Sequence, residues 1–187
     1  MIKGGAIEKG MYILFKGDPY LVADREFVNP GKGAAFTRCK LKNAKTGSVL
    51  RETIKTSDNV EVADVYDRDG QYMYVDGESY HFMDAESYEQ FEIPADVLAE
   101  TGKYLREGDQ YRIIMWGENP IDVIIPMKLV YTVTDAPDAV KGDTVTGATK
   151  TVVVETGLTV QVPIFIKTGD KIRVNTESGE YVERVND

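Results

Sequence analysis

At 187 residues the chain has room for one domain or several small ones, and its 42% hydrophobic fraction excludes a disordered polyelectrolyte. It is acidic overall, net −9, but the sign is split: residues 1–63 carry eleven Lys/Arg against seven Asp/Glu, net +4, and residues 64–187 eleven against twenty-four, net −13. That split excludes uniform coating of nucleic acid and points to one basic end that meets a polyanion, with an acidic remainder that discourages non-specific DNA binding. The single cysteine, Cys39, excludes an internal disulfide framework and fits a reducing compartment. Met1-Ile2-Lys3-Gly4-Gly5 has no apolar h-region, and no run approaches the roughly 18 apolar residues of a membrane span. A cytoplasmic protein without membrane contact is expected.

Strand signals dominate in chain order. Residues 11–15 are the first alternating run, followed by Tyr20-Leu21-Val22-Ala23-Asp24-Arg25-Glu26-Phe27-Val28 and Ala35-Phe36-Thr37-Arg38-Cys39-Lys40-Leu41-Lys42. Between those two lies Asn29-Pro30-Gly31-Lys32-Gly33-Ala34, the tip of a predicted hairpin. Pro30 fixes φ, Gly31 and Gly33 permit angles closed to other residues, and no apolar tip residue can pack back onto a core. Lys32 is therefore displayed at the far end of a two-stranded arm. Further short strands are predicted over 71–75, 111–116, 159–163 and 171–175. One helix is predicted, starting with Pro94 at an N1-like position and running through Ala95-Asp96-Val97-Leu98-Ala99-Glu100 towards Gly102.

An internal repeat orders the acidic part. Gly108-Asp109-Gln110-Tyr111-Arg112-Ile113 recurs as Gly169-Asp170-Lys171-Ile172-Arg173-Val174, and each copy is followed by a turn and another strand. Two related β units follow, 64–126 and 127–187, behind a basic first unit, 1–63. Three such units would each be roughly 27 Å across and would span on the order of 80 Å end to end, an elongated all-β protein without one large core.

Conventional catalytic sets are absent. One histidine, His81, and one cysteine cannot build a Ser-His-Asp, Cys-His or histidine-based metal cluster, and His81 in Tyr80-His81-Phe82-Met83 reads as a packed or edge strand residue. Cys39 alternates with Arg38 and Lys40 and reads as a buried strand cysteine. The carboxylates cluster in turns such as Asp67-Arg68-Asp69-Gly70 and Asp76-Gly77-Glu78, with no EF-hand spacing. Lys32 does not belong to a P-loop, because Gly33 stands where Ser/Thr is needed and a strand follows. An exposed tip also lacks the desolvated pocket of a Schiff-base lysine. Two readings of Lys32 stand: an incidental cation on a turn, or a contact or modification site.

The chain as a whole resembles the bacterial elongation factor P family. Pro30-Gly31-Lys32-Gly33-Ala34-Ala35-Phe36 is similar to the family's modified-residue loop, and Tyr72-Met73-Tyr74-Val75-Asp76-Gly77-Glu78-Ser79-Tyr80-His81-Phe82-Met83-Asp84 to its middle-domain signature. Lys141-Gly142-Asp143-Thr144, Thr149-Lys150, Glu155-Thr156-Gly157, Val160-Gln161-Val162-Pro163 and the ending through Gly179-Glu180-Tyr181-Val182 resemble its third domain. Gly147-Ala148 stands where the family usually has two glycines, and Thr151 where it usually has proline.

The resemblance implies an N-terminal SH3-like (KOW-type) barrel followed by two OB-fold barrels. It implies a monomeric, non-catalytic translation elongation factor that needs no cofactor or metal and binds the bacterial ribosome beside peptidyl-tRNA. Lys32, supported by Pro30, Gly31 and Gly33, would reach towards the peptidyl-transferase centre after extension by a lysine-modifying enzyme. Tyr181 and Arg184 would meet the peptidyl-site tRNA, and the loop holding Gly142, Asp143, Thr144, Gly147, Thr149 and Lys150 would approach messenger RNA in the exit site. The implied activity is relief of stalling at consecutive prolines. A generic RNA-binding multi-barrel protein is the competing class; a small-molecule enzyme lacks the residues.

Overall fold

The computed structural model describes residues 1–138 and 147–186. The chain is all-β, in three antiparallel sheets. The first holds β1 (Ile2–Lys3), β2 (Tyr12–Phe15), β3 (Asp18–Val28), β4 (Phe36–Asn43), β5 (Val49–Lys55) and β6 (Asn59–Val62), in the order β1-β6-β2-β3-β4-β5. Period-2 alternation builds it: along β4, Thr37, Cys39, Leu41 and Asn43 are buried while Arg38 and Lys40 face solvent. Cys39 and Leu41 meet Ile7, Ile13, Tyr20, Val22 and Val60 in one core. The short 3₁₀ turn Gly4–Ala6 closes the barrel: Gly4 N–H donates to Asp58 O at 2.8 Å, and Thr37 Oγ1 donates to Gly4 O at 3.2 Å.

The second sheet holds β7 (Val65–Val75), β8 (Ser79–Asp84), β9 (Gln90–Pro94), β10 (Gln110–Trp116) and β11 (Asn119–Ile124), in the order β11-β10-β7-β8-β9. The third holds β12 (Lys128–Asp135), β13 (Thr149–Val154), β14 (Thr159–Pro163), β15 (Lys171–Asn175) and β16 (Tyr181–Val185), in the order β14-β13-β12-β15-β16. Numbered within each sheet, both read 5-4-1-2-3, the latter listed from its other edge. The repeated hexapeptides fall on equivalent strands, β10 and β15, each paired with the first strand of its sheet and with the strand that follows it.

The first two sheets form one compact unit, Met1–Ala99 with Gln110–Ile124; Glu100–Asp109 groups with the chain from Ile125 onward in the other. Inside the first unit, Tyr12 Oη donates to Asp122 Oδ2 at 2.6 Å, and Lys42 Nζ to Val97 O at 2.6 Å. Ala44, Ile114 and Ile121 pack around this join with Tyr12, Val65 and Trp116.

The helix predicted after Pro94 does not form. Residues 95–100 are turns, followed by the 3₁₀ segment Gly102–Tyr104. Six residues are too few to nucleate a helix unaided, and the backbone is engaged elsewhere. Ala95 N–H donates to Glu78 O, Val97 N–H to Pro94 O, and Val97 O accepts Lys42. Gly47 comes so close that a Cβ there would lie 2.4 Å from Asp96 O. Beyond the turns, sequence order would leave Glu100–Asp109 with the second sheet, yet Tyr104 enters the third core and its carbonyl accepts Tyr131 Oη at 2.6 Å. Arg106 Nη1 donates to Val130 O and to Glu155 Oε1.

Candidate functional site

The arm that carries Lys32 is a continuous ladder up to its tip. β3 and β4 pair from Tyr20↔Asn43 to Val28↔Phe36, with a bulge between Val22 and Asp24, and β5 flanks β4 as far as Lys55↔Phe36. Residues 29–35 lie beyond the ladder. Thr56 holds their far side: its N–H and its Oγ1 both donate to Ala35 O, each at 3.1 Å. Gly31, Lys32, Gly33 and Ala34 are exposed, and the Lys32 ammonium has no hydrogen bond or ion pair among the described residues. The two glycines differ. Gly33 has φ +105°, whereas Gly31 keeps a negative φ in open space. The special backbone angle at the tip therefore belongs to Gly33.

Below the tip, β3, β4 and β5 line a shallow cleft of about 320 Å³ that mixes Arg25, Arg38, Lys40 and Arg51 with Asp24, Glu26 and Glu52. Arg38 pairs with Glu26 at 3.6 Å and lies over the Phe36 ring, while Lys40 stands directly opposite Arg51. Beyond this mixed surface, Lys32 is presented to solvent at the arm's end.

Tyr181 and Arg184 lie on β16, in the unit that does not carry the arm. Three residues apart, they would face opposite sides of a regular strand. A bulge changes that: Val174 pairs with Tyr181, Arg173 with Glu183 and Ile172 with Arg184. Ile172 and Val174 are both fully buried on one face, so their partners share it. Tyr181 packs partly into the core, and Arg184 stays exposed with its guanidinium carbon 5.3 Å from the Phe165 ring centroid. The sequence reading missed Phe165 and the Thr56 clamp; the broken alternation in Gly179-Glu180-Tyr181-Val182-Glu183-Arg184 was the available signal for the bulge.

Of the third-domain loop, Gly142, Asp143 and Thr144 lie outside the described residues. Gly147 is exposed with φ +90°; Thr149 opens β13 opposite Pro163. Lys150 Nζ donates to Pro137 O at 2.9 Å, so this lysine tethers the base of the loop.

The remaining polar groups are structural in their contacts. His81 stacks on Tyr74 at 4.4 Å, and its Nε2 lies 2.8 Å from Asp76 Oδ2. The Ser79 N–H, with His81 and the Glu78 N–H, holds the Asp76 carboxyl down at about 2. Asp84 is likewise lowered, first by the N–H groups of Ser87 and Glu86. Both aspartates are turn formers. Cys39 is buried, and burial pushes its thiol up. Among the described residues no group of three or more His, Cys, Asp or Glu side chains is placed to hold a metal ion, and no helix is long and apolar enough to cross a membrane.

Family profiles match all three parts of the chain: the elongation factor P KOW-like domain over residues 3–60, the elongation factor P OB domain over 65–123, and the elongation factor P C-terminal domain over 129–184. The chain belongs to the elongation factor P family. It is 57% identical to elongation factor P of Treponema denticola, with 100% of both chains covered. It is 49% identical to that of Borrelia duttonii over 98% of this chain and 97% of the relative, and 44% identical to that of Persephonella marina over 97% and 95%. Among solved structures, a eukaryotic translation initiation factor 5A from Methanococcus jannaschii is similar with TM-score 0.48 and 24% identity, over 66% of this chain and 92% of that chain. Membership in the elongation factor P family makes this chain a translation elongation factor.

Proposed function

We propose that this factor binds the bacterial ribosome beside peptidyl-tRNA and positions the tRNA end for peptide transfer, relieving stalling at consecutive prolines. The observation that carries the reading is Lys32: exposed, unpaired among the described residues, and borne on an arm whose tip is clamped at Ala35 by Thr56. A lysine-modifying enzyme can reach such an amine, and a covalent extension lengthens its reach. Proline is a poor acceptor because its ring restricts approach, and transfer depends on holding two reactants in near-attack geometry. Ordering the tRNA end supplies that geometry without donating or accepting a proton, so the ribosome remains the catalyst.

In this reading residues 1–63, 64–126 and 127–187 are three domains with separate duties. The first, net +4, lies along the tRNA acceptor stem with its cations on phosphates and ribose hydroxyls. Tyr181 and Arg184 hold the third domain near the anticodon stem. The loop from Gly142 to Lys150 approaches messenger RNA in the exit site. Reconstituted translation of a reporter with three consecutive prolines, beside a proline-free control, tests the reading. The native factor raises only the proline reporter, and Lys32→Ala does not. Equal rescue by Lys32→Ala would leave a generic RNA-binding protein as the better account.

A further inference from the structure

We propose that Phe165 is a positioning residue for Arg184: its exposed ring holds the guanidinium flat and leaves the in-plane N–H fork free for a backbone phosphate. The inference rests on the reading that Arg184 meets RNA, and it names how this chain prepares that contact. The first observation is a contrast among the arginines of the acidic part. Arg68 pairs with Asp84 at 2.6 Å, Arg106 with Asp109 and Glu155 at 2.9 and 3.0 Å, Arg112 with Asp67, and Arg173 with Glu183. Arg184 has no carboxylate partner among the described residues; it lies over an aromatic ring instead.

The second observation is that the backbone at both partners is held in place. The bulge in β16 turns Arg184 onto the face of Ile172, and Arg184 pairs with that buried residue across the ladder. Phe165 sits on the turn after β14, locked by fully buried Ile166, whose N–H donates to Pro163 O at 3.2 Å, yet Phe165 itself is 53% exposed. A guanidinium stacked on a ring keeps its edge donors in the planar geometry that matches a phosphate. One paired with a carboxylate has given those donors to it. In a domain of net negative charge, an arginine so protected is suited to receive an anion.

A double-mutant cycle on the full-length protein, binding ribosomes that carry peptidyl-tRNA, tests the proposal. Arg184→Ala weakens binding and lowers the slope of log affinity against log salt by roughly one. Phe165→Leu keeps an apolar side chain without the ring and weakens binding about two- to fivefold, as the loss of an exposed cation–π contact would. Phe165→Trp restores it. On an Arg184→Ala background Phe165→Leu has no further effect, and neither variant shifts the melting temperature enough to explain the loss. Full additivity, or native affinity of Phe165→Leu beside a weakened Arg184→Ala, overturns the role of Phe165 and leaves the Arg184 contact standing. Native affinity and salt slope in Arg184→Ala overturn both.

Discussion

At Gly33 the chain adopts φ +105°, a region that costs an L side chain about 1–2 kcal/mol, while one residue before Lys32 the φ of Gly31 is negative and a Cβ would meet open space. Gly33→Ala must either bear that strain or rebuild the tip, and rebuilding moves the Lys32 ammonium. Gly31→Ala asks for neither. We expect Gly31→Ala to melt within about 0.5 kcal/mol of the native protein and to retain proline-reporter rescue. Gly33→Ala should lose much of that rescue; equal behaviour of the two variants in both assays would show that the tip's backbone angle is irrelevant. The sequence named both glycines and the lysine between them. It could not separate the glycines, because φ depends on how the tip closes onto Ala35 and Thr56, and Thr56 lies far along the chain.

At the scale of elements, the join between the first two sheets combines a small apolar cluster with part-buried polar contacts. Burial holds the Asp122 carboxyl above its usual range, and burial with the neighbouring carboxylate holds the Tyr12 phenol well above its own. Tyr12→Phe removes the hydroxyl that stabilises the buried carboxylate, at a cost of about 1–3 kcal/mol. A carboxyl raised in the folded chain loses stability as pH rises through the interval between its unfolded and folded values. Removing its donor widens that interval, so the deficit of Tyr12→Phe should be greatest near neutral pH and shrink on acidification, measured by denaturant melts across pH. A pH-independent deficit would mean that Tyr12 acts through packing alone. The strands were legible because their period-2 alternation is local. The missing helix was not, since Lys42, which binds the Val97 carbonyl, comes from another sheet, and Gly47, which approaches Asp96, from the turn between β4 and β5. The docking of Tyr104 into the third core was equally hidden, because the decisive partner, Tyr131, is 27 residues away.

Over the whole molecule, the hexapeptide repeat gave the equivalence of the second and third sheets, and the structure carries it through to an identical strand order. The charge split has a physical counterpart as well: among the described residues, a basic first sheet ends in an unpaired lysine, and the arginines of the acidic part, Arg184 apart, are paired with carboxylates. What charge and repeats could not supply is the pairing of Phe165 with Arg184, which joins the turn after β14 to strand β16, two segments that no periodicity relates. The proposed function turns on Lys32 as an amine presented for covalent extension and used away from the protein's body. Peptide mapping by mass spectrometry of the factor purified from the cells that make it tests that claim most directly. A mass increment confined to Lys32 is expected; an unmodified Lys32 in that native protein would rule out the covalent extension.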